Sequence, residues 1–87
     1  MHEASLMRDL MSKIDLLAEA ESANKVTTVR LWLGALSHMS ADHCREHFEQ
    51  ASRGTIADGA VLEIVSSTDI GDPNAQDLLL RSIEVEA

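Results

Sequence analysis

The hydrophobic spacing of this chain changes near residue 25, and that change commits it to a mixture of helix and strand. Upstream, Leu6, Leu10, Ile14 and Leu17 recur at i, i+4, i+8 and i+11, with Met7 and Met11 widening the stripe. Such spacing is the apolar face of a helix, and it predicts one over residues 4–22 with Asn24 as its stop. Arg8, Asp9, Ser12, Lys13, Asp15 and Glu19 fill the wet side, and neither Gly nor Pro interrupts the run. From Lys25 to Leu33 the period falls to about 2, which is the strand signature. Val29, Leu31 and Leu33 share one face with Thr27, and Thr28, Arg30 and Trp32 share the other. The β-branched threonines and valines favour the same assignment.

Downstream the alternation of elements continues. Gly34 closes the strand, and Ser40 is an N-cap for a second helix, with Asp42 in its first turn. That helix runs to about Ser52 and buries Cys44, Phe48 and Ala51 by their spacing, with Gly54 as its stop. Asp58-Gly59 signals a turn. Residues 60–65 alternate as a second strand, with Leu62 and Ile64 on one face and Glu63 on the other. Residues 66–77 are polar and aperiodic and read as a loop. Residues 78–86 form a third strand whose apolar positions change face between Leu80 and Ile83, which a bulge reconciles. The order α-β-α-β-β predicts an α+β fold, with two helices packed on one face of a small three-stranded mixed sheet. The last two strands are expected to pair antiparallel across the 66–77 loop. Trp32 then lies on the face the helices leave bare, either resting on its own sheet or marking a docking or dimer surface.

At 87 residues the chain has room for one domain. Aromatic residues are 2% of it, so the core must be aliphatic. The net charge of −8 argues against nucleic acid and against the anionic membrane surface as partners. One cysteine, Cys44, forms no internal disulfide and no CxxC zinc site. No apolar run has the length of a signal peptide or a membrane span, so the cytoplasm is the expected compartment. Neither a GxSxG elbow nor a phosphate-binding glycine loop is present, and an enzyme is not expected.

The first three residues, Met1-His2-Glu3, bring together an α-amino group, the amide nitrogen of His2 and its imidazole. Linked through the backbone, these nitrogens form adjacent chelate rings that suit a square-planar ion such as Ni(II) or Cu(II). The Glu3 carboxylate stands beside them as ligand or outer partner. A solvated histidine on a frayed terminus is the plain alternative. Three further histidines, His38, His43 and His47, fall within ten residues of one another. His43 and His47 are four apart on a helix and could chelate one ion. Cys44 could add a sulfur, and Asp42 and Glu46 oxygens, unless Cys44 is simply core and the histidines its polar border. His38 could also serve as a fourth ligand to the N-terminal chelate.

Several segments resemble the HypA family of nickel metallochaperones that mature [NiFe]-hydrogenase. They are the opening Met1-His2-Glu3-Ala4-Ser5-Leu6, the run from Val29 to Ser37, Phe48-Glu49, the run from Gly54 to Ala60, and the ending from Arg81 to Glu86. The resemblance covers nearly the whole chain and implies the same α-β-α-β-β order. It implies that His2 is the principal nickel ligand, that the Met1 amine is a second, and that Glu3 is their neighbour. It also implies a HypB-like maturation GTPase and the hydrogenase large subunit as partners, with a homodimer possible. Family members carry a zinc module of two CxxC pairs between the second and third strands. Here residues 66–77 take that place without a cysteine, so no zinc is expected. The alternative reading is a diverged interaction module that no longer uses metal.

Overall fold

In the computed structural model, residues 3–87 are described, with side chains from Ser5 onward. Five elements follow in order: α1 (Glu3–Ala20), β1 (Lys25–Leu33), α2 (Ala41–Ser52), β2 (Val61–Ser66) and β3 (Leu78–Glu86). The three strands form one mixed sheet, and both helices pack against it around a shared core. Ile14 of α1, Cys44 and Phe48 of α2, and Val26, Val29, Leu31 and Leu33 of β1 are all at most 2% exposed. Phe48 is the one aromatic among them, so the rest of this core is aliphatic or sulfur-bearing. Among the described residues no helix is long and apolar enough to cross a membrane.

The pairing of the last two strands differs from the sequence expectation. The sheet order is β2-β1-β3, so β1 lies in the middle and β2 and β3 occupy opposite edges. β2 runs parallel to β1 and β3 antiparallel to it. Two physical reasons favour this. The connection between β1 and β2 contains α2, the kind of crossover that parallel pairing needs. β1 and β3 are each nine residues long, whereas β2 has six, so β3 completes a longer ladder against β1 than it would against β2.

Two register shifts set the faces. Against β1 the partner changes from Ser82 opposite Arg30 to Leu80 opposite Leu31, which leaves Arg81 as an extra residue. This is the expected bulge, and it lets Leu78, Leu80, Ile83 and Val85 all pack on the core. A second shift between Val26 and Thr28 leaves Thr27 as the extra residue on β1. Val26 is consequently buried where simple alternation assigned Thr27. The helical stripe is corrected in the same way. Met7, Leu10, Ile14 and Ala18 are the buried positions of α1, and Leu17 is 44% exposed. The buried row steps by three from Met7 to Leu10 and then by four to Ile14 and Ala18, so the core-facing line is rotated from the expected one, with Met7 in place of Leu6 and Ala18 in place of Leu17.

The helix ends follow local chemistry. α1 stops at Ala20, and Ser22 takes the left-handed conformation with φ 52°, two residues before Asn24. The Ala23 N–H then donates to the Ala18 carbonyl at 3.0 Å, closing the last turn by a wide C-terminal loop. Residues 67–77 are a loop of turns, as expected, and backbone bonds fasten it. Ser67 N–H donates to Leu33 O at 2.8 Å, Gly34 N–H to Asp77 O at 2.9 Å and Leu36 N–H to Ala75 O at 2.6 Å. The segment is thereby fastened across the end of β1. Ala75 is buried there, and a Cβ on Gly34 would stand 2.2 Å from its carbonyl oxygen. Glycine at position 34 is therefore what permits the close approach.

Candidate metal centre

Topology collects the histidine-bearing segments at one end of the sheet. α2 joins two parallel strands, so it runs back antiparallel to β1. α1 reaches β1 through a short turn and also runs antiparallel to it. Leu6 and Leu10 border a groove with Leu78 and Leu80, near the C-terminal end of β1, whereas Leu17 borders one with Ile83 and Val85. The two helices thus start at the same end, where β1 and β2 finish. The 34–40 connection carrying His38 and the 67–77 segment lie at that end as well.

Ser40 opens α2 as the sequence indicates: its hydroxyl accepts from the His43 N–H at 3.1 Å. The cap fixes the first turn and with it the direction of the His43 side chain. His43 and His47 stack one turn apart with ring centroids 4.6 Å apart, and their Nε2 atoms are 3.0 Å apart. His47 also lines a shallow groove against α1 with Met7, Arg8 and Met11. Cys44, one residue after His43, turns inward toward the core. It is fully buried, and burial pushes its thiol pKa up, with Arg45 opposing the shift. It is a core residue, so the sulfur ligand considered from the sequence is not on offer. His38 is exposed in the connection at φ 63°, a conformation to which histidine is better suited than most residues. Among the described residues no three His, Cys, Asp or Glu side chains converge as a metal group.

The N-terminal set lies largely outside the described residues. Met1 and His2 precede them, and Glu3 enters only through its backbone as the first residue of α1. The start of that helix lies at the same end of the sheet as the first turns of α2.

The bare face of the sheet carries a network that residue spacing alone did not reveal. Arg30 in β1 donates through Nε to Glu63 of β2 at 2.9 Å and through Nη2 to Glu84 of β3. One guanidinium ties the three strands together, and the carboxylates, Glu84 first, hold its pKa above the ordinary value. The cross-strand registers Arg30 opposite Glu63 and Thr28 opposite Glu84 bring these charges together; finding them required knowing that β1 is central. Trp32, on the same face, is half-buried with the Arg81 guanidinium 5.6 Å from its ring centroid, so it rests partly beneath a residue of its own sheet.

The family described as "Hydrogenase/urease nickel incorporation, metallochaperone, hypA" matches residues 1–71. Among similar proteins, the hydrogenase maturation factor HypA of Rhizobium leguminosarum bv. viciae is 41% identical over 64 residues, which are 74% of this chain and 57% of that protein. HypA of Archaeoglobus fulgidus is 39% identical over 71 residues, 80% of this chain and 64% of its own. The chain therefore spans 57% and 64% of the length of these two relatives. In fold, it superposes on the solution structure of the Ni metallochaperone HypA from Helicobacter pylori with a TM-score of 0.81 at 20% identity, covering 100% of this chain and 99% of that one. The family match over residues 1–71, the identities above 30% and the shared α-β-α-β-β fold lead to one conclusion: the chain belongs to the HypA family of hydrogenase and urease nickel metallochaperones.

Proposed function

We propose that this protein carries Ni(II) at its N-terminus and delivers it during maturation of a [NiFe]-hydrogenase. The Met1 amine, the deprotonated His2 amide and the His2 imidazole are the ligands, with the Glu3 carboxylate beside them. The observation that carries the reading is membership in a nickel-incorporation family through a match that begins at residue 1. The donor chemistry supports it, because three linked nitrogens suit a planar ion. A terminal chelate also exchanges its ion readily, as a carrier requires. Residues 1–87 act as one domain with the 67–77 segment where a zinc module would be, working without zinc in the cytoplasm. A HypB-like GTPase and the hydrogenase large subunit are the proposed partners.

The test is calorimetric titration of the untagged protein with Ni(II), accompanied by the d–d absorption of planar nickel. His2→Ala, and separately two residues added before Met1, should each remove the tightest binding. Affinity should rise with pH, because amide ligation releases a proton. Unchanged affinity in both variants overturns the proposal.

A further inference from the structure

We propose that His43 and His47 form a second, bidentate site for a divalent transition ion on α2, suited to square-planar or octahedral rather than tetrahedral coordination. The inference starts from geometry. The two Nε2 atoms are 3.0 Å apart across one helical turn. With metal–nitrogen bonds of about 2.05 Å, that separation subtends roughly 94° at a shared ion. A right angle is the cis angle of planar and octahedral sites, and the tetrahedral angle would need the nitrogens further apart. Nickel and copper take the former geometries, whereas structural zinc takes the latter.

The scaffold is suited to hold the pair. Ser40 caps the turn on which His43 sits, and Cys44 and Phe48 anchor α2 in the core. His43 is exposed and His47 partly so. The two histidine nitrogens fill two positions, and further donors complete the shell. Such a site binds less tightly than a three-nitrogen chelate and exchanges faster, a property suited to receiving or passing on an ion. Cys44 is excluded as a ligand by burial. The site concerns the class of ion invoked for the N-terminus, but it does not depend on that chelate.

The experiment uses the full chain carrying His2→Ala, so that the terminal chelate is disabled. Nickel chloride is titrated by calorimetry and by histidine ring-nitrogen NMR. One equivalent should bind, with shifts at the Nε2 atoms of His43 and His47. Adding His43→Gln or His47→Gln should each lower affinity roughly ten-fold or more, since even outer-shell losses cost that much. Glutamine keeps the helix propensity of the position. As a check that needs no further variant, nickel should protect both histidines of the His2→Ala chain from diethyl pyrocarbonate. Co(II) in the site should show the weak visible absorption of a six-coordinate ion. Absence of nickel binding to the His2→Ala chain, or Gln variants that bind as before, overturns the proposal; an intense tetrahedral Co(II) spectrum overturns its geometry. Failure of the terminal reading is a separate result, because it appears in the otherwise unaltered chain as indifference to His2→Ala.

Discussion

At the scale of single residues, position 34 carries the sharpest demand in the molecule. A methyl group there would meet the Ala75 carbonyl oxygen at 2.2 Å and the Asn74 oxygen at 2.6 Å. Both obstacles are backbone, fastened by the bonds from Gly34 to Asp77 and from Leu36 to Ala75, so the segment cannot yield as a flexible side chain would. Gly34→Ala should destabilise the fold by about 1–3 kcal/mol, the usual cost of forced overpacking. Urea denaturation followed by Trp32 fluorescence measures it, and a change within experimental error would contradict the close approach. The sequence marked Gly34 as the end of a strand but gave no sign of this contact, because its partner lies some forty residues away. The terminal donors present the converse case. The chelate proposed for them is argued from residue types alone, since it depends on neighbours in sequence and not on the fold.

At the scale of elements, α2 shows how one cap supports the turn that bears His43. The Ser40 hydroxyl takes the His43 N–H at 3.1 Å, satisfying an otherwise orphaned donor at the helix start. Ser40→Ala should cost about 1 kcal/mol of stability and loosen the turn that bears His43, detectable as faster amide exchange at the first residues of α2. An exchange pattern identical to that of the parent chain would count against the cap. Element types and most boundaries were legible in the sequence because they follow local periodicity, and β2 begins at Val61, one residue later than expected. Strand neighbours were not legible, because pairing is decided by ladder length and crossover geometry rather than by any local pattern. The same limit hid the Arg30–Glu63–Glu84 network and moved Val26 into the core, since a bulge at Thr27 reverses the alternation on either side of it. Leu17 and Ala18 exchanged roles because two rows that each mix steps of three and four pass through Leu10 and Ile14, and only packing against the sheet selects the one with Met7 and Ala18.

At the scale of the whole molecule, stability is tied to pH through a thiol in the interior. Burial raises the Cys44 pKa above its unfolded value, so the folded chain holds its proton where the unfolded chain has released it. The unfolded state then binds fewer protons, and stability falls as pH rises beyond the ordinary thiol range of about 8.5. Below that range the thiol is neutral in both states and costs nothing. Denaturation midpoints measured from pH 7 to 10 should decline at the alkaline end, and Cys44→Ala should flatten that decline while lowering stability throughout. An identical alkaline slope in the variant would refute the assignment. The sheet order has a further consequence, for growth of the chain. Since β2 and β3 sit on opposite margins, the span between them must bridge the central strand, and its two roots at Ser67 and Asp77 are stitched there by backbone bonds. Extra residues spliced into the exposed bend around Ile70 and Gly71 would leave every rung of the ladder in place and would emerge beside the heads of both helices. The architecture thus offers a port through which an appended module could be gained or shed over evolution while the strands beneath it keep their partners.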